Sequence, residues 1–322
     1  MGDFRTVYDS KFKRRYLVMG RYRSLLPVMA LRLGLRNWLD KAILFFQWRG
    51  KPVSSRLAEI LKQVPSAIPG NIHSALLYDT SWYKDSLAIG YVRADKNLYF
   101  LKICPTMHDA MFQQHQTDFV ARYFGNVFTT VPVIRQYQQC VVYPYISVKT
   151  VHSDRLMDMI IAANQRFLKE CSVEKTVSEI IPRDIHFVLD QWNPEIAKAF
   201  KNWMSRYQDH SVPFVPVHGD LTPWNTGMAD DKIVLFDYEQ AGWQVPFYDY
   251  YHFVLQKPAL DGSVHAITHL VTELPYQSLS LVIYLVDQIY QAIDKQKMGY
   301  HDNALQTMLK TKTTWLQQRL EQ

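Results

Sequence analysis

The stretch HGDLTPWN, residues 218 to 225, decides how the rest of the chain is read. It sets a histidine, an aspartate and an asparagine in the order H-x-D-x-x-x-x-N, around a proline that stiffens the loop. A second stretch, IVLFDYEQAG at residues 233 to 242, carries Asp237 at the end of an apolar run that reads as a short strand. Phosphoryl transfer from ATP needs a carboxylate that orients or deprotonates an attacking hydroxyl, oxygen ligands for a metal that bridges the phosphates, and a cation on those phosphates. Asp220 has the chemistry of the base. Asn225, across the loop, returns an amide oxygen suited to Mg²⁺, and Asp237 is the natural second metal ligand. Lys102, on a separate predicted strand, is the natural phosphate cation.

Working outward, the chain of 322 residues is 48% hydrophobic and 20% charged, enough for one large domain or two lobes with a packed core. Cys104, Cys140 and Cys171 match neither a zinc pattern nor a disulfide framework, so buried thiols in a reducing compartment are expected. Arg32, Arg36, Asp40 and Lys41 interrupt the most hydrophobic region, so a membrane-spanning helix is not expected. The N-terminus lacks the layout of a secretory signal. The expected location is the cytoplasm, with peripheral attachment at the inner face of the membrane as a further reading.

That further reading comes from charge. Residues 1 to 51 hold twelve lysines and arginines against Asp3, Asp9 and Asp40, a net +9, so the remainder of a chain of net +6 carries −3. In this basic segment Trp38, Leu39, Ala42, Ile43 and Phe46 recur at helical spacing. Either this apolar stripe packs onto the main domain and the arginines form its solvated face, or the helix lies on an anionic membrane surface. Nucleic acid is the least supported partner. The opening MGDFRT fits a myristoylation pattern, but its acidic residue directly after the glycine makes chance the better explanation.

Past VPSAIPGN (64–71), read as a linker, strand patterns follow one another. ALLYDTS, SLAIGYV and NLYFLKI predict three antiparallel strands, a helix is predicted from about His108 to Phe124, and VPVIRQY and QCVVYPYI predict two more strands. Beyond Lys149 the pattern is mainly helical apart from FVPVHGD and KIVLFDY. There is no internal repeat.

The order Lys102, then His218, Asp220 and Asn225, then Asp237 resembles the aminoglycoside phosphotransferase and choline kinase superfamily over roughly residues 72 to 260. The resemblance implies an α+β, bilobal, protein-kinase-like fold. A small antiparallel-sheet N-lobe with the hinge would span 71–147 and a larger, mainly helical C-lobe 148–322, preceded by a basic helical N-terminal extension, 1–70. It also implies ATP and Mg²⁺ as cofactors, Asp220 as catalytic base, Asn225 and Asp237 as magnesium ligands, and Lys102 on the α and β phosphates. The stretch Tyr143 to Ile146 would be the hinge that meets adenine through its backbone, the carbonyl of Pro144 accepting although Pro144 has no N–H, with Ile146 beside it. Asp249, in PFYDYYHF, matches a structural aspartate that braces the catalytic loop. His218 is read as a structural residue and Trp224 as a packing residue.

Two features depart from the pattern. The predicted helix at 108 to 124 contains no glutamate to pair with Lys102, leaving Gln113, Gln114, Gln116 or Asp118 as substitutes. The loop TSWYKDS is poor in glycine, so Ser81, Lys84 and Ser86 are the candidates for phosphate contact. Three classes of function remain: a kinase for the hydroxyl of a small molecule, a catalytically weak nucleotide-binding module at a membrane surface, and a protein kinase. The last is disfavoured because Gly219 stands where H-R-D has arginine and no A-P-E segment follows Asp237. Residues 250 to 322 hold six acids and six bases, which favours a neutral or anionic acceptor over a polycation. The wording of the two loops is similar to kinase-like members of cell-surface polysaccharide or lipopolysaccharide assembly, so a sugar or amino alcohol is the expected acceptor.

Overall fold

A computed structural model of the protein describes residues 5–9, 14–20, 25, 55–79, 87–149, 151, 153–270, 273–300 and 302–321. The chain forms two units, Met1–Ala121 with Thr130–Ser147, and Arg122–Thr129 with Val148–Gln322.

The first unit is built on a seven-stranded antiparallel sheet. Its strands are β1 (Arg5–Asp9), β2 (Arg14–Gly20), β3 (Ile72–Asp79), β4 (Ala88–Ala94), β5 (Asn97–Ile103), β6 (Arg135–Tyr137) and β7 (Cys140–Pro144), in the spatial order β1-β2-β3-β4-β5-β7-β6. Side chains alternate between faces along each strand. Leu17, Ala75, Leu77, Val92, Leu101 and Val142 fall in one apolar cluster, while their neighbours Tyr16, Val18, Leu76, Tyr91 and Phe100 gather in an aromatic-rich cluster on the other side. Period two along β5 puts Lys102 on the face of Leu98 and Phe100. Gly90 has no substitute, because a Cβ there would lie 2.2 Å from the carbonyl oxygen of Leu76 on the neighbouring strand.

The strands expected from ALLYDTS, SLAIGYV, NLYFLKI, VPVIRQY and QCVVYPYI are found at Ile72–Asp79, Ala88–Ala94, Asn97–Ile103, Arg135–Tyr137 and Cys140–Pro144, and the helix expected from about His108 to Phe124 spans Met107–Phe124. Two expectations for the first 70 residues are corrected. Arg5–Asp9 and Arg14–Gly20 are strands, and β2 pairs with β3 from Tyr16↔Tyr78 to Gly20↔Ser74, so the helical reading fails for these stretches. The segment read as a linker is core: Val64, Ala67 and Ile68 are buried with Leu57, Ile60 and Leu61 of helix α1 (Ser55–Leu61) against the sheet. Pro65 is compatible because it sits in the first turn of the short helix α2 (Val64–Ala67), where its missing N–H would have no partner. Each buried leucine or isoleucine there contributes on the order of 2 kcal/mol, which a solvated linker would forgo. The apolar stripe of Trp38 to Phe46 and the loop residues Ser81, Lys84 and Ser86 lie outside the described residues.

The second unit is mainly helical. After the end of α3 (Met107–Phe124) it contains α4 (Ser153–Glu170), α5 (Ile185–Trp192), α6 (Pro194–Tyr207), α7 (Tyr248–Asp261), α8 (Gln277–Lys297) and α9 (Asn303–Leu320). Two small sheets interrupt the helices. In one, β9 (Ser211–Val217) pairs antiparallel with an edge strand at Val173–Thr176 on one side and with another at Gly242–Gln244 on the other; the second contains the hairpin of β10 (Thr226–Ala229) and β11 (Lys232–Leu235). Tyr248, Tyr251, Tyr284, Leu285, Trp315 and Leu316 are buried where α7, α8 and α9 pack. Among the described residues no helix is long and apolar enough to cross a membrane.

Candidate active site

The site in the second unit starts at the end of β9. Val212, Val215 and Val217 are buried, so the strand is held rigidly and delivers His218 and the loop after it to a fixed place. Gly219 turns the chain at φ +84°, and a Cβ on it would meet the carbonyl oxygen of Gln240 at 2.1 Å. That is why arginine cannot stand there.

Helix α7 reads this loop residue by residue. Asp249 accepts the N–H of His218 at Oδ2 (2.8 Å) and that of Gly219 at Oδ1 (2.9 Å), bracing the loop as expected. Burial pushes the Asp249 carboxyl up to about 7; the two N–H bonds pull against that rise and the charge of Asp220 adds to it. One turn further along α7, His252 reaches the next loop residue, its Nε2 lying 2.8 Å from Asp220 Oδ1. Residues three apart on a helix lie on one face, so D-x-x-H presents both side chains to the same loop.

Asp220 is held below the ordinary carboxylate range. Burial raises it, but the His252 hydrogen bond and the charges of His252, His218 and Lys295 outweigh that. His252 is itself fully buried, and burial lowers its pKa despite the bond to Asp220, with the like charge of Lys312 adding to the fall. The pair is therefore a neutral imidazole donating Nε2–H to a carboxylate. His218 is likewise buried and held low, first by burial; its Nε2–H donates to Phe236 O at 2.9 Å, and its ring meets Tyr238 edge-on at 5.6 Å. Its structural role agrees with the sequence reading.

Asn225 closes the loop. Its Nδ2 donates to the backbone oxygen of Asp220 (2.9 Å) and to Asp220 Oδ2 (2.8 Å), which leaves Asn225 Oδ1 as the outward acceptor. The Asn225 backbone oxygen takes the N–H of Phe236 at 2.9 Å. Phe236 is thus pinned on both sides, by Asn225 and by His218, and Asp237 follows it directly. Asp237 leaves the strand in the left-handed region at φ +64°, a conformation aspartate tolerates better than most residues, with its side chain exposed. The structure therefore brings Asp220, Asn225 and the backbone that carries Asp237 together in this unit. Among the described residues no three histidine, cysteine or acidic side chains converge as a closed metal cage.

Lys102, Pro144 and Ile146 belong to the first unit. Lys102 pairs in register with Ile89 and with Val141 and is buried. Of the four residues considered in place of a helix glutamate, Gln113 alone is buried, while Gln114 donates to Asp118 at 2.9 Å. Tyr145 N–H donates to Leu98 O at 3.1 Å, and Tyr99 opposes Pro144 across the ladder. In an antiparallel pair this pattern turns the Pro144 carbonyl away from β5.

Sequence reasoning missed His252, although the D-x-x-H spacing in PFYDYYHF was a signal. It also missed Asn164 of α4, whose Oδ1 accepts the N–H of Phe247 at 2.9 Å where α7 begins. Beneath His252 lies a buried polar group with no sequence signature. Tyr248 O–H donates to Asp287, Gln288 donates to the Tyr248 oxygen, and Lys312 Nζ donates to Gln256 and Gln288 at 2.7 Å each. Trp224, expected to pack, is 53% exposed.

Residues 174–268 match the family model described as the phosphotransferase enzyme family. No curated protein sequence matches the chain. Among solved structures, the chain is similar in fold to the choline kinase LicA from Streptococcus pneumoniae at 14% identity and TM-score 0.53, covering 83% of this chain and 99% of that one. It is similar to the same degree, 14% and 0.53, to a putative fructosamine-3-kinase from Thermobifida fusca, covering 83% and 100%. LicA in complex with AMP aligns at 11% identity and TM-score 0.50, covering 83% and 100%. The fold is kinase-like, and the segment 174–268 of the second unit is similar to the phosphotransferase enzyme family. The matched stretch, residues 174–268, contains HGDLTPWN, the motif that carried the resemblance in the sequence.

Proposed function

We propose that this protein is an ATP- and Mg²⁺-dependent kinase for a small hydroxylated acceptor, with Asp220 as the base. The observation that carries the reading is the placement of Asp220: a carboxylate with Oδ1 held by His252 and Oδ2 by Asn225, at the end of a loop fixed by Asp249. In the proposed reaction the acceptor hydroxyl passes its proton to Asp220 Oδ2, and its oxygen forms the new bond to the γ-phosphorus. The bond to the β–γ bridging oxygen breaks and ADP leaves.

The donor set fits magnesium. Asn225 Oδ1 and the exposed Asp237 carboxylate are hard oxygen ligands, and two protein ligands rather than a closed cage are what Mg²⁺ uses when substrate phosphates complete its shell. When bound, the ion would offset the charge that develops on the transferred group. Lys102 is proposed on the α and β phosphates, and the Pro144 carbonyl with the Ile146 backbone at adenine; the outward turn of Pro144 supports the latter.

The acceptor is proposed to be a sugar or amino alcohol. The balanced charge of residues 250 to 322 supports a neutral or anionic molecule, and the exposed Trp224 near Asp220 suits a sugar ring. Testing sugars, amino alcohols and aminoglycosides with Mg·ATP, by coupled ADP release, decides the matter. One acceptor class should stimulate turnover, and Asp220→Asn should lower kcat by about 10²–10⁴-fold with nucleotide binding retained. If no acceptor raises wild-type turnover above that of the variant, the protein is a nucleotide-binding module instead.

A further inference from the structure

We infer that His252 is a positioning residue for the transfer reaction, holding Asp220 through Oδ1 so that only Oδ2 is presented to the acceptor hydroxyl; this rests on the kinase reading above.

Three observations carry it. The His252 ring is buried, and its Nε2 lies 2.8 Å from Asp220 Oδ1, so the carboxylate cannot rotate about its terminal bond without losing that partner. The ring is clamped: it lies parallel to Tyr248 (4° between planes) and is met edge-on by Tyr284 (84°), both fully buried side chains. Its other nitrogen, Nδ1, is buried with no hydrogen-bond partner among the described residues. A doubly protonated ring would leave an N–H there with nowhere to donate, whereas a lone pair at that place costs less, so the surroundings select the Nε2–H tautomer. Lys312, 5.5 Å from the Tyr284 ring centre on the far side of this aromatic layer, adds a like charge against protonation.

Without His252 the carboxylate would be held at one oxygen only, by Asn225 at Oδ2, and could swing about that contact, so the oxygen presented to the substrate would vary in depth. Misplacement of a reacting group by about 1 Å costs roughly 10²-fold in rate. Substrate contacts are unaffected, since His252 does not reach the loop surface. Its loss should therefore appear in kcat and leave KM for ATP unchanged.

The experiment has two arms. The first uses ¹⁵N-labelled full-length protein and reads the ring nitrogens of His252 by long-range proton–nitrogen NMR near pH 7, in wild type and in Asp220→Asn. A neutral ring protonated at Nε2, whose resonances shift in the variant, is expected. The second measures turnover on the best acceptor. His252→Leu should lower kcat about 30- to 100-fold with KM for ATP within about threefold. His252→Gln, whose Nε2 can reach the same oxygen, should recover most of the loss, and His252→Leu should add little in an Asp220→Asn background. Equal kcat in the glutamine and leucine variants, or a His252 signal insensitive to Asp220→Asn, overturns the positioning role alone. The NMR arm stands if the leucine variant fails to fold. No wild-type turnover on any acceptor overturns the kinase reading and this role with it.

Discussion

Gly219 shows how one residue constrains the chemistry around it. Its φ of +84° and the 2.1 Å approach of Gln240 O to a would-be Cβ act together, so Gly219→Ala meets both strain and a backbone clash. The expected cost is about 2–4 kcal/mol, read as a lower midpoint in urea unfolding, and the displaced loop should also lower turnover. Asp220 and Asn225 stood out in the sequence by type and spacing, and the structure joins them through two hydrogen bonds from the Asn225 amide. His252 did not, because its role depends on where α7 lies, and a histidine among tyrosines reads first as packing. Trp224 was misread for the converse reason: aromatic character predicts burial, but Pro223–Asn225 is a short 3₁₀ turn at the surface.

At the scale of elements, α7 is the device that shapes the loop, and Asn164 sets where α7 starts. Phe247, just before the helix, takes a left-handed conformation at φ +62°, with its N–H on Asn164 Oδ1. Asn164 also donates to Ile160 O at 3.0 Å, so its amide is fixed from both ends. Asn164→Leu should leave the buried Phe247 N–H without an acceptor, at a cost of about 1–3 kcal/mol. Calorimetric melting of the variant checks the stability loss; kcat should fall with it, because Asp249 and His252 both ride on α7. The central strands β3 to β5 were legible from their β-branched, aromatic and alternating apolar residues. β1 and β2 were hidden by their basic neighbours, since RRYLVMG alternates poorly and finds its place only by pairing with β3.

For the whole molecule, the polar group inside the helical unit has a pH signature. Lys312 is fully buried, and burial brings its ammonium down to about 7, with the charge of Lys295 in the same direction and Asp287 against it. In the unfolded chain this lysine keeps its proton up to about 10.4. Between about pH 7 and 10 the unfolded state therefore binds more protons, and this residue's contribution to stability rises with pH. Wild type should gain stability relative to Lys312→Met from pH 7 to pH 9.5, by an amount on the order of a few kcal/mol, measured by urea unfolding at each pH. The reverse slope would place the charged form as the favoured one. None of this was legible in the sequence, because Gln256, Gln288 and Lys312 come from three helices and no local pattern links them.

The bracing of residues 218 to 220 by a helix that begins at Tyr248 has a consequence for biosynthesis. On the ribosome, the HGDLTPWN segment emerges before its clamp exists, since both of its loop N–H groups are accepted by Asp249, which lies downstream. The segment is therefore organised late, when α7 has cleared the exit tunnel and closed back on β9, so a nascent chain acquires this loop geometry only after most of its second unit has been made.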